Sequence, residues 1–128
     1  MRKSISTVVL GGSGYVGGEL LRLVAGHPHL ELAAAVSDSA AGQPIGALFP
    51  HLGAALAEHE FVAHSDWLAR VDDNSELALF SAAPHGASAS VIANAIEACE
   101  EKGVTVHVVD SSADFRFAVR DKWEAIYG

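Results

Sequence analysis

The sequence predicts an α/β fold, a doubly wound, mostly parallel sheet with helices on both faces. Three observations predict it. Short, continuous apolar runs at residues 7–10, 30–36, 77–80 and 105–109 read as strands buried on both sides. Two longer segments, residues 15–25 and 88–102, carry apolar residues at helical spacing. Gly, Pro, Asp and Ser punctuate the junctions. Apolar strands that alternate with helices belong to a parallel sheet covered on both faces.

The elements follow in order. The β-branched run Thr7-Val8-Val9-Leu10 stops at Gly11-Gly12 and reads as the first strand. In residues 15–25, Val16, Leu20, Leu23 and Val24 are spaced to share one helical face. Gly26 is expected to end this helix, and Pro28 to prevent its restart. Residues 30–36 form the second strand, closed by Ser37-Asp38-Ser39. Gly42, Pro44, Gly46, Pro50 and Gly53 mark residues 38–57 as loop. Residues 58–63 read as a short strand and residues 66–70 as one helical turn, capped by Ser65 or Asp66. Residues 77–80 are the next strand. Ile92, Ile96 and Cys99 align on one face of the helix at 88–102, with Val91 and Ala95 beside them, and Gly103 stops it. Residues 105–109 form a further strand, and residues 121–127 read as the start of a last helix.

Size and charge bound the function. The 128 residues make one domain, half of it apolar. Eight Lys and Arg against sixteen Asp and Glu leave a net charge of −8. That balance argues against nucleic acid and against an anionic membrane surface. One cysteine forms neither an internal disulfide nor a Cys-rich zinc site. No apolar run approaches the length of a membrane span or a signal peptide. The expectation is a soluble, cytoplasmic protein. Among the seven histidines, no pair at helical spacing has a carboxylate partner, so no metal site is expected. Trp67 and Trp123 read as packing residues.

The turn after the first strand carries the chemistry. It reads Gly11-Gly12-Ser13-Gly14-Tyr15-Val16-Gly17-Gly18, and Gly11, Gly14 and Gly17 fit G-x-x-G-x-x-G. Gly11 permits a tight turn off the strand. Gly14 lets a pyrophosphate approach the backbone, and Gly17 lets the helix pack closely on the strand. The helix N-terminus then offers N–H groups to phosphate. A strand before and an amphipathic helix after give the motif the context of a Rossmann-like dinucleotide site.

Such sites place a ribose-binding residue about 20 residues further on, at the end of the second strand. Ser37, Asp38 and Ser39 stand there. An Asp suits the 2′-OH of NAD, whereas a 2′-phosphate prefers a cation, and residues 37–46 contain no Lys or Arg. Ser37 and Ser39 remain as donors, so NADP and NAD both stay open. The strand at 77–80 leads into Ala83-Pro84-His85-Gly86, at the sheet edge where ligands of parallel sheets sit. The strand at 105–109 leads into Asp110-Ser111-Ser112-Ala113-Asp114-Phe115-Arg116 at that same edge. Arg116 could grip a phosphate in two-pronged fashion or pair with Asp114.

Together these segments resemble N-acetyl-gamma-glutamyl-phosphate reductase, of the semialdehyde dehydrogenase superfamily. The matching pieces, in order, are residues 11–21 (GGSGYVGGELL), His27-Pro28, Gly42 near Phe49-Pro50-His51-Leu52, Ala83-Pro84-His85-Gly86 and residues 110–116. The resemblance runs from about residue 6 to residue 128. It implies a domain that binds NADP for the reduction of an acyl phosphate to a semialdehyde in arginine biosynthesis. It implies that Ser13, Gly14, Tyr15 and Val16 line the pyrophosphate, with Gly11 and Gly17 shaping the loop. It places Ser37 and Ser39 near the adenosine ribose, and Ala83, Pro84, His85 and Gly86 near the nicotinamide half. Ser112 and Arg116 would face the substrate side. Many relatives carry a basic residue where this chain has Asp38, a departure that bears on NADP against NAD. The family's nucleophilic cysteine and substrate domain lie beyond these 128 residues. The chain is therefore expected to be the N-terminal cofactor part of a homo-oligomeric reductase, inactive alone.

Cys99 does not replace that nucleophile, because it falls on an apolar helix face beside Glu97, Glu100 and Glu101, where a thiolate is disfavoured. Aspartate-semialdehyde dehydrogenase and the carrier-bound reductases of lysine biosynthesis share parts of the plan. Short-chain dehydrogenases share the glycine spacing but need Tyr-x-x-x-Lys, and Tyr15 is followed four residues later by Glu19. A non-catalytic dinucleotide sensor is the remaining alternative.

Overall fold

The computed structural model describes residues 4–52, 54–82 and 88–110. Its frame is a five-stranded, all-parallel sheet in the order β3-β2-β1-β4-β5. The strands are β1 (Ile5–Leu10), β2 (Leu30–Val36), β3 (Phe61–Val62), β4 (Glu76–Ser81) and β5 (Thr105–Asp110). Helix α1 (Tyr15–Gly26) joins β1 to β2, and α3 (Ser88–Glu101) joins β4 to β5. The chain moves outward from β1 on one side, then returns across it to build β4 and β5 on the other. This reversal makes the C-terminal ends of β1 and β4 a topological switch point, where ligands of open parallel sheets bind.

Alternation along the central strands builds two cores. Val8 and Leu10 of β1 join Ala34, Val36, Leu77, Leu79, Ala95 and Cys99 on the α3 face. Val9 joins Leu21, Val24, Leu32, Ala35 and Phe61 on the α1 face. Val8, Val9 and Leu10 are fully buried, as expected for the middle strand of a sheet covered on both sides.

The face of α1 differs from the one its apolar spacing predicts. Val16 and Leu23 are exposed, and the buried positions are Gly17, Gly18, Leu21 and Val24. The cause is the glycine pair. A Cβ at Gly17 would collide with the Gly11 carbonyl oxygen and lie 2.7 Å from the Gly12 Cα. A Cβ at Gly18 would lie 2.5 Å from the Phe49 ring. The helix thus lies against the β1 turn through its bare backbone, and this rotates Val16 and Leu23 outward. The end of α1 also has a different cause. Gly26 does not take the left-handed conformation. The helix stops because His27, restricted by Pro28, is extended at φ −91°, ψ 126°.

Residues 38–57 hold more structure than a loop. A four-residue helix, α2 (Ile45–Leu48), and a 3₁₀ turn at Pro50–Leu52 bury Ile45 and Leu52, and Leu56 is buried just beyond. The short strand narrows to the two residues of β3, and a 3₁₀ turn forms at Trp67–Arg70. Asp66 is the N-cap residue of that turn but makes no side-chain cap bond. Trp67 is buried. The expected helix at residues 121–127, and Trp123 within it, lie outside the described residues.

Candidate functional site

The loop between β1 and α1 sits at the switch point. Gly11 turns the chain with φ +73°, and the Gly12 N–H donates to the Val36 carbonyl at 2.9 Å, tying the loop to the end of β2. Across β1, the Ala82 N–H donates to the Leu10 carbonyl at 2.8 Å, so the end of β4 lies alongside.

The glycines of the loop separate by what surrounds them. Gly17 has no room for a side chain, because of helix–strand contact. Gly14 has room. Among the described residues, a Cβ there would meet only the Gly11 carbonyl oxygen, at 3.9 Å, and its φ of −83° is open to any residue. Nothing in the packing of the described residues requires glycine at position 14. A bare backbone facing open space is what a ligand needs for close approach. Gly14 is also the N-cap of α1 and supplies no side-chain cap, and no acidic residue stands in the first turn. The first-turn N–H groups point out of the helix end without intrahelical partners, and they favour an anion. Tyr15 is 85% exposed beside them and Val16 45%.

A chain of hydroxyls connects this loop to the end of β2. The Ser13 and Ser37 Oγ atoms are 2.7 Å apart, and those of Ser37 and Ser39 are 3.2 Å apart. Ser37 Oγ also accepts the Ala40 N–H at 3.3 Å. A hydroxyl has one donor and two acceptor sites, so these three contacts saturate the buried Ser37. Ser37 is an organiser of the strand end, and the exposed Ser39 and half-buried Ser13 retain capacity for a ligand.

Asp38 is engaged differently. Its Oδ1 accepts the His64 N–H at 2.8 Å, and its Oδ2 lies 3.3 Å from the His64 Nδ1. The backbone bond first, then the ring, hold the carboxyl below its usual range. His64 leaves the C-terminal end of β3, so the pair bridges the ends of neighbouring strands. His64 also lines a groove of about 280 Å³ with Leu10, Trp67, Val91, Asn94 and Ala98, between the Trp67–Arg70 turn and α3. Its lining is mostly apolar.

Of the site residues expected from sequence, the structure brings together Gly11, Ser13, Gly14, Tyr15, Val16, Gly17, Ser37 and Ser39. Ala83, Pro84, His85 and Gly86 lie outside the described residues, as do Ser112 and Arg116. Sequence reasoning missed His64 and the groove. The signal for His64 was its place just after an apolar pair, Phe61-Val62, too short a strand to mark a sheet edge. Cys99 is fully buried, and burial pushes its thiol up, against the opposing charge of Lys102. Among the described residues, no group of three His, Cys, Asp or Glu could hold a metal ion, and no helix is long and apolar enough to cross a membrane.

Comparison with known proteins agrees with this geometry. Residues 6–128 match the family model described as semialdehyde dehydrogenase, NAD binding domain. The chain is 47% identical over 120 residues to N-acetyl-gamma-glutamyl-phosphate reductase of Acidothermus cellulolyticus, covering 94% of this chain and 32% of that protein. It is 42% identical over 125 residues to the Streptomyces coelicolor protein of that name, covering 98% and 33%. A putative LysW-L-2-aminoadipate/LysW-L-glutamate phosphate reductase of Aeropyrum pernix is 35% identical over 128 residues, covering 100% and 33%. The chain thus spans about a third of the length of these curated relatives. Among solved structures, aspartate semialdehyde dehydrogenase with NADP from Candida albicans shares the fold. Its TM-score is 0.60 at 19% identity, covering 89% of this chain and 31% of that one.

Proposed function

We propose that this chain, which belongs to the semialdehyde dehydrogenase NAD-binding domain family, is the nicotinamide-dinucleotide module of an acyl-phosphate reductase. The observation that carries the proposal is Gly14, a glycine that the packing leaves free, at the uncapped N-terminus of α1 and the switch point of the sheet. The residues present fit a dinucleotide. Backbone N–H groups of Ser13, Gly14, Tyr15 and Val16 would hold the pyrophosphate. Ser39 would meet the adenosine ribose, with Ser37 bracing it. The groove beside Leu10 and Asn94 would take the adenine. Ala83, Pro84, His85 and Gly86 would border the nicotinamide, and Ser112 and Arg116 the substrate side.

When bound, the reduced cofactor supplies a hydride donor. The chain's own residues place it. The helix end offsets pyrophosphate charge, the hydroxyl chain fixes the ribose end relative to the glycine loop, and the apolar groove excludes water from one ring. The reaction of the whole protein would convert N-acetyl-gamma-glutamyl phosphate, NADPH and a proton to the semialdehyde, NADP and phosphate, a step of arginine biosynthesis. Reductases of that name reach 47% identity, against 35% for the LysW relative, and this favours the acetylglutamyl substrate over the lysine-type one. Cys99 cannot attack an acyl phosphate from the core, so the nucleophile would come from outside this chain, and the chain alone would not turn over. The parent protein would be a cytoplasmic homo-oligomer.

Calorimetric titration of the purified protein with NADP and NAD tests this. Saturable binding at one site is expected, with no acyl-phosphate-dependent oxidation of NADPH. A folded protein that binds neither dinucleotide would overturn the proposal.

A further inference from the structure

The end of β2 poses a conflict of charge. The solved neighbour from Candida albicans was determined with NADP, whose adenosine ribose is phosphorylated, yet in this chain an aspartate stands there and residues 37–46 contain no Lys or Arg. A carboxylate with free oxygens accepts the 2′- and 3′-hydroxyls of an unphosphorylated ribose and repels a 2′-phosphate.

Both Asp38 oxygens already have a partner. One is taken by the His64 N–H at 2.8 Å and the other faces the His64 Nδ1 at 3.3 Å. The imidazole is partly exposed, at 41%, and it lines the groove together with Leu10 and Asn94. Through Asp38 it joins that groove to the strand end that carries Ser37 and Ser39. The groups around it are few in charge. Asp38 faces it from the end of β2, Asp66 lies two residues on in its own turn, and α3 contributes the neutral Asn94 and Ala98 to the shared groove. An imidazolium has two N–H donors on opposite sides of the ring. With Nδ1 turned to Asp38, Nε2 is left for a ligand.

We propose that His64, held by Asp38, is the cationic determinant that lets this site take a 2′-phosphorylated adenosine. Both Asp38 oxygens face His64, so the aspartate becomes the residue that positions the imidazole. Ser39 adds a hydroxyl donor from the same strand end. The two strand ends together perform the task that a single basic residue at position 38 would perform. The inference rests on the dinucleotide reading of the site and assigns the residue that sets its phosphate preference.

The test uses two half-ligands, adenosine 2′,5′-bisphosphate and adenosine 5′-monophosphate, titrated calorimetrically into the purified protein. The bisphosphate is expected to bind about tenfold more tightly, as one charge-assisted contact allows. His64→Gln, a substitution at a partly exposed position, is expected to bring the ratio of the two affinities to about one, whatever it does to monophosphate binding itself. His64→Lys is expected to restore the preference. A bisphosphate preference that survives in His64→Gln overturns the assignment while leaving the dinucleotide site intact. So does a wild-type protein that binds both half-ligands equally. A folded protein that binds neither, and no intact dinucleotide, overturns the dinucleotide reading and this inference with it.

Discussion

Two glycines three residues apart do opposite work. Gly17 is required by the fold, because any Cβ there meets the backbone of Gly11 and Gly12. Gly14 is not required by the packing of the described residues, which leave its surroundings open. The difference predicts separable phenotypes. Gly17→Ala forces α1 off the β1 turn and is expected to cost about 3 kcal/mol, read as a lowered urea midpoint. An unchanged midpoint would mean that the helix does not rest on its backbone here. The G-x-x-G-x-x-G spacing was legible as a motif from the sequence. Which glycine serves packing and which serves a ligand was not, because that depends on atoms brought in from the strand turn.

The helix ends show a similar contrast. At the end of α3, Gly103 has φ +75°, and the Val104 N–H reaches the Cys99 carbonyl at 2.9 Å while the Gly103 N–H reaches that of Glu100 at 3.1 Å. This is a Schellman closure. A Cβ at Gly103 would also collide with the Asn74 Oδ1. Gly103→Ala is expected to cost about 2 kcal/mol from the left-handed conformation and the collision. Gly26 ends α1 with an ordinary φ and nothing within 4 Å. Gly26→Ala is expected to be neutral or to stabilise by about 0.5 kcal/mol. Chemical denaturation of the two variants checks both signs, and equal effects would contradict the account.

Sequence reasoning expected both glycines to act as stops, and it was right about Gly103 alone. At Gly26 the extended pre-proline residue His27 does the work. The bounds of β2, the central strands and both long helices were legible, because a buried parallel strand and an amphipathic helix announce themselves by apolar runs and spacing. The outward turn of Val16 and Leu23 was not. Apolar spacing weighs side chains, and this helix docks through two residues that have none. The short elements between residues 38 and 57 were also hidden, since Pro and Gly there punctuate compact turns that still bury Ile45 and Leu52.

At the scale of the molecule, the sheet order places the glycine loop, the end of β2 and the end of β3 along one edge. Ser37 and the Asp38–His64 pair knit that edge together. The Gly14 loop and the groove wall at Asn94 and Ala98 stand 80 or more residues apart in the chain, so the site exists only once both cores have formed. The individual motifs could be read along the chain, but their convergence, and the partnership of His64 with Asp38, follow from topology. The central claim is that this edge binds a dinucleotide through the open backbone at Gly14. Calorimetric titration of wild type and Gly14→Ala with NADP, alongside their thermal melts, tests it most directly. One-site binding is expected in the wild type, at least about tenfold weaker in Gly14→Ala, with melting unchanged. Equal binding by the two folded proteins would contradict it.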